Sequence, residues 1–136
     1  MTGRGPIGVS DGHISAELPD GRLEIPLDRA RKLLLCSMAD PLSHGEEIFY
    51  ILVLDESFLL VGPFVTGGEA AIETAIETAD IPVERRLIGH VPYCYREKGL
   101  FGLRAFPIPG LGYGPLADLR RFDLMTPSGE TIETIE

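Results

Sequence analysis

The residues best suited to chemistry lie in the run His90-Val91-Pro92-Tyr93-Cys94-Tyr95-Arg96. A thiol near His90, Arg96 and Lys98 has the neighbours that activate a nucleophile. Spacing speaks against a direct pairing of His90 with Cys94. On a strand, residues four apart share a face but lie roughly 13 Å from each other. Pro92 interrupts the helix that would bring them together. A partner for Cys94 must therefore come from elsewhere in the chain. The competing reading is a half-buried thiol between aromatic neighbours.

A second candidate is a binding surface. Tyr93, Tyr95, Phe101, Phe106 and Tyr113 fall close together, interleaved with Arg96, Lys98 and Arg104. Aromatic rings beside arginine resemble the anchors of a protein interface. The residues expected to form it are Tyr93, Tyr95, Arg96, Phe101, Arg104 and Tyr113. The same composition also describes an antiparallel pair with one face in the core.

Other chemistry finds less support. Thr66-Gly67-Gly68 at a helix start could seat an anion. Glu69 stands where it would occupy those donors itself, and there is no GxGxxG or Walker lysine. The short polar loops around His13 and His44 lack the ligand spacings of zinc or calcium sites. The glycines of Gly110-Leu111-Gly112-Tyr113-Gly114 alternate, unlike a dinucleotide fingerprint, and Pro115 interrupts the helix that should follow. No metal and no cofactor is expected.

The totals bound the setting. The chain has 136 residues, a hydrophobic fraction of 44% and a net charge of -9. That is ample for a packed core, and the acidic balance repels nucleic acid and anionic membranes. The two cysteines, Cys36 and Cys94, make no disulfide framework, and no run reaches the length of a membrane span. The expected setting is cytoplasmic, and the expected partner is a protein.

The elements that must position these residues read as follows. Residues 1–12 are glycine-rich and unpatterned, which predicts a flexible arm before a single domain over 13–136. Ile14–Leu18 and Leu23–Ile25 alternate around the turn Pro19-Asp20-Gly21, which predicts a hairpin. A second hairpin is predicted over 47–62. Its first strand is apolar on both faces, so it should lie mid-sheet with cover on each side. The spacing of Ile72, Ile76 and Ala79 predicts a helix over 66–79, and Thr66 with Glu69 has the spacing of a capping box. Glu69, Glu73 and Glu77 line another face of it without local compensation.

Residues 28–38 fit a helical face through Leu34 and Met38, and also one face of a strand. Local propensity favours helix. Two further strands are predicted within 86–106 and a last hairpin around Pro127-Ser128-Gly129. A Pro/Gly loop is predicted over 107–115.

The order hairpin, ambiguous element, apolar hairpin, helix over residues 23–79 is similar to the bacterial pleckstrin-homology-like domains. Ile25-Pro26-Leu27-Asp28 looks like the start of a middle strand, and Phe64-Val65-Thr66-Gly67-Gly68 like the entry to the family's closing helix. The resemblance implies a strand over 29–36. The chain departs from the family after the helix, where a long stretch follows. Nothing in residues 37–47 matches the basic loop of lipid-binding members, and no family binding residue carries over.

The fold class expected is therefore α+β: a mostly antiparallel, curved or barrel-like sheet with a firm helix near 66–79 and a second candidate helix near 28–38. The function expected is a small soluble non-enzymatic protein-binding domain that self-associates. The alternatives are a small cytosolic enzyme using Cys94 or His90, and a small acidic chaperone for a basic client.

Overall fold

The computed structural model describes residues 2–3, 5–38, 48–97 and 108–127. Its strands are β1 (Thr2–Gly3), β2 (Ile7–Ser10), β3 (His13–Leu18), β4 (Gly21–Pro26), β5 (Lys32–Met38), β6 (Phe49–Val53), β7 (Ser57–Val61), β8 (Val83–Ile88), β9 (Leu111–Pro115) and β10 (Leu124–Met125). The helix α1 spans Gly68–Ala79, and 3-10 segments cover Leu27–Arg29, Tyr93–Tyr95 and Leu116–Phe122.

The fold is α+β. One curled sheet has the order β1-β9-β7-β6-β5-β8-β10, and a second has the order β2-β3-β4. Every described pairing is antiparallel except β5 with β8. That exception follows from α1, which carries the chain from β7 across the sheet to β8, as a parallel pair requires.

β6 and β7 lie inside the large sheet and are apolar on both faces because both faces are covered. Phe49, Ile51, Val53, Phe58 and Leu60 pack on one side against Tyr95, Leu119 and Phe122. Leu52, Leu59 and Val61 pack on the other against Ala71, Ile72 and Ala75 of α1 and against Ile7, Ile14 and Ile25 of the small sheet. The first two predicted hairpins form, as β3–β4 and β6–β7.

Several expectations are corrected. Residues 28–38 are not a helix. A 3-10 turn ends at Arg29 and β5 follows. The strand buries Leu33 towards α1, and Leu34 and Cys36 towards Phe122, while pairing with both β6 and β8. That two-sided burial outweighs the few tenths of a kcal/mol per residue that favour helix locally. Residues 7–10, placed in a flexible arm, form β2, and Ile7 is buried. The Pro/Gly loop over 107–115 contains β9, which pairs with β7. Of the two strands expected within 86–106, the range of the first holds the end of β8 and a 3-10 turn, and the second falls on residues 98–107, outside the described residues. β10 pairs with β8, and the other half of the expected last hairpin, residues 128–136, also lies outside them.

The helix starts later than the capping pattern implies. Its N-cap is Gly67, at φ 77°, and no side chain caps it. The cause is distant in sequence. Ile7 N–H donates to the Thr66 carbonyl at 3.1 Å, and a Cβ on Gly67 would stand 2.7 Å from the Ile7 carbonyl oxygen. β2 therefore pulls the helix entry into a left-handed turn that glycine alone adopts cheaply. Thr66→Ala is expected to shift stability by less than about 0.5 kcal/mol, as for an ordinary surface change. A loss of about 1 kcal/mol in the denaturant midpoint, the usual value of a capping threonine, would contradict this.

Candidate functional site

The structure divides the sequence-based candidates between the two faces of the large sheet. The turn Tyr93–Tyr95 lies on the Phe122 side, and its end is tied to β9 by Gly110 N–H donating to the Tyr95 carbonyl at 3.1 Å. Tyr95 is core. Its ring packs against both Phe58 and Phe122, with centroids 5.4 Å from each, and its hydroxyl donates to Asp118 Oδ2 at 2.6 Å. Burial, and then the Asp118 carboxylate, hold the Tyr95 phenol well above the usual tyrosine range. Arg96 donates through Nε to the Val91 carbonyl at 2.7 Å. Tyr93 is exposed.

Tyr113 falls on the opposite face. It alternates with Gly112 and Gly114, and Gly114 is the residue that lies against Tyr95. The Tyr113 hydroxyl donates to Ser57 Oγ at 2.8 Å, and the ring is 40% exposed. Phe101 and Arg104 lie outside the described residues. The structure thus does not gather Tyr93, Tyr95, Arg96 and Tyr113 into one surface.

Cys94 finds its neighbour from elsewhere in the chain, as spacing required. Arg121 Nη1 lies 3.9 Å from Cys94 Sγ, a long sulfur contact. His90 is exposed and uses its backbone N–H on the Phe122 carbonyl, at 3.2 Å. Among the described residues no hydrogen bond joins His90 to Cys94, and the contact recorded for the thiol is with a cation. Cys36 is buried, and burial pushes its thiol well above the usual range, against a smaller opposing pull from Arg86. A thiol reagent is expected to modify Cys94 in the native chain and Cys36 only on unfolding. Equal native rates at the two sites would contradict these burials.

A different site emerges from the packing of the two sheets. A groove of about 750 Å³ runs beside β4. One wall is Leu23, Glu24, Ile25 and Pro26, with Arg29 beyond them. The other is the β6–β7 turn at Leu54, Asp55, Glu56 and Ser57, together with Tyr113, Gly114 and Pro115 of β9. Successive β4 residues, from both faces of the strand, line the groove. It therefore follows the strand's edge rather than lying under one face.

The backbone along that edge can be assigned. In an antiparallel ladder, opposed residues alternate between bonded and non-bonded pairs. Leu27 N–H donates to the Gly12 carbonyl at 2.9 Å, one step beyond the pairing of His13 with Pro26. The bonded pairs are then Ile14 with Ile25, Ala16 with Leu23, and Leu18 with Gly21. Arg22 and Glu24 turn their N–H and C=O groups away from β3, and Pro26 turns its C=O the same way. No described strand pairs with β4 on that side.

The groove has a mixed lining. Ile25 and Leu54 are buried, Leu23 is half-buried, and the Tyr113 ring supplies an aromatic surface. The exposed carboxylates of Glu24, Asp55 and Glu56 outnumber the guanidinium of Arg29. Glu24 also pairs with Arg22 at 3.2 Å on the outer face of the hairpin. Sequence reasoning missed this site because three separated stretches build it. One signal was present: proline closing the alternating run Leu23-Glu24-Ile25-Pro26 marks an edge strand.

Among the described residues no helix is long and apolar enough to cross a membrane, and no group of three or more His, Cys, Asp and Glu side chains could hold a metal ion. Comparison of the chain with protein-family models, with curated proteins and with solved structures found no match.

Proposed function

We propose that this chain is a small non-enzymatic protein-binding domain and that the groove beside β4 holds its partner. The observation that carries the reading is the outward row of backbone groups on β4, set against a groove with an aromatic and apolar lining. An unpaired strand edge is a template for another chain, and monomeric proteins cover or blunt it. Here Pro26 removes a donor only at the end of the row. At the other candidate centre, Cys94 with Arg121, no hydrogen bond among the described residues joins the thiol to a general base, which gives the enzyme reading less support.

The test uses a photo-crosslinking amino acid at Tyr113, expressed in the cell of origin, with the same group at Val83 as a control. Val83 is exposed on β8 and away from the groove lining. A discrete protein adduct at position 113 and none at position 83 is the expected result. An adduct of twice the chain mass would identify a second copy as the partner. Absence of any adduct at 113 would contradict the reading.

A further inference from the structure

Resting on that reading, we infer that the partner enters the groove as a single extended segment, adds to β4 as a fourth strand of the small sheet, and carries basic side chains. The backbone comes first. Arg22 and Glu24 each present an outward N–H and C=O, and Pro26 an outward C=O, spaced two residues apart along one edge. An incoming strand places its own donors and acceptors at that period, so main-chain hydrogen bonds give affinity without regard to sequence.

Size narrows the occupant. A groove of about 750 Å³ beside residues 23–26 of β4 has room for one short extended segment. The wall facing β4 is the β6–β7 turn and the end of β9, which belong to the large sheet. A strand laid there covers the exposed Tyr113.

Side chains then set the preference. On β4, Leu23 and Ile25 face the core side and Glu24 faces outward. An added strand shares that alternation. Its inward residues meet Leu23, Leu54 and Tyr113, and suit small apolar side chains. Its outward residues stand beside Arg22 and Glu24, which pair with each other at 3.2 Å, and its end lies at the Asp55–Glu56 turn. Arg22 offsets Glu24, so the preference comes from the Asp55–Glu56 turn, whose two carboxylates outnumber Arg29, and from the net charge of -9: lysine or arginine fits beside the turn and acidic residues are repelled there.

The test titrates the full chain with short fluorescein-labelled peptides and follows anisotropy. The probes are an alternating Lys/Val peptide, its Glu/Val counterpart, and the Lys/Val peptide N-methylated along its backbone. The Lys/Val peptide is expected to bind at least about tenfold more tightly than either of the others, a difference of about 1.4 kcal/mol. The turn variant Asp55→Lys with Glu56→Lys, checked for an unchanged circular dichroism spectrum, is expected to reverse the preference between Lys/Val and Glu/Val. Equal binding of the two charge types, or insensitivity to N-methylation, overturns the inference. Failure of every peptide overturns it as well. If the chain then sediments as a dimer that the turn variant dissociates, the groove belongs to a second copy. A crosslink at Tyr113 without peptide binding would leave the protein-binding reading standing while this inference falls.

Discussion

Gly114→Ala should destabilise the fold by about 3 kcal/mol, the upper part of the range for overpacking a filled core. A Cβ at position 114 would overlap the Tyr95 hydroxyl, stand 3.0 Å from Tyr95 Cζ and lie 3.4 Å from Phe58 Cε1. Tyr95 cannot swing away cheaply, because its hydroxyl is held by Asp118 and its buried ring packs against both Phe58 and Phe122. Tyr95→Phe alone should cost about 1.5–3 kcal/mol, as for a hydrogen bond to a charged group. Combined, the two changes should cost at least about 1 kcal/mol less than their sum, since removing the hydroxyl opens the space the new methyl needs. Strict additivity in a denaturant double-mutant cycle would show that Gly114 is not there to make room for the phenol.

Phe58→Ala should have the largest effect of any single truncation considered, about 3–5 kcal/mol. The Phe58 ring is wholly buried on β7, meets Phe122 edge-on at 5.8 Å and supports Tyr95 at 5.4 Å. Its loss would uncouple the large sheet from the 3-10 segment Leu116–Phe122, which reaches the sheet through Leu119 and Phe122. A loss below about 1.5 kcal/mol, the scale of a volume-conserving swap, would mean that this side of the sheet repacks freely.

How much of this was legible beforehand varies by element. The β3–β4 and β6–β7 hairpins were readable because turn residues interrupt apolar runs, at Pro19-Asp20-Gly21 and at Asp55-Glu56. α1 was readable from the spacing of Ile72, Ile76 and Ala79, of which Ile72 is buried and the other two are half-buried. β5 was not, because Leu34 and Met38 satisfy both a helical and a strand period and only pairing with β6 and β8 decides. β9 was hidden by its own composition. Glycine and proline depress strand propensity, yet Gly114 is required by a tyrosine from a different segment. The Thr66 cap failed for a related reason: its spacing was right, and Ile7, far away in the chain, took the Thr66 carbonyl and turned Gly67 left-handed.

The site was less legible than the fold. Tyr93, Tyr95, Arg96 and Tyr113 looked like one surface because they are near in sequence. Strand alternation in β9 sends Tyr113 to one face while Tyr95 fills the other. The groove needs β4, the β6–β7 turn and β9 together, and neither the linear order nor any local motif announces that meeting.

Amide hydrogen exchange along β4 tests the central claim most directly. In the free chain, Leu23 and Ile25 should exchange slowly, because they donate to Ala16 and Ile14 across the ladder, whereas Arg22 and Glu24 should exchange fast from the open edge. With the Lys/Val peptide at saturation, Arg22 and Glu24 should become protected while Leu23 and Ile25 change little. Slow exchange at Arg22 and Glu24 in the free chain, or fast exchange there with the peptide bound, would contradict a partner strand on β4.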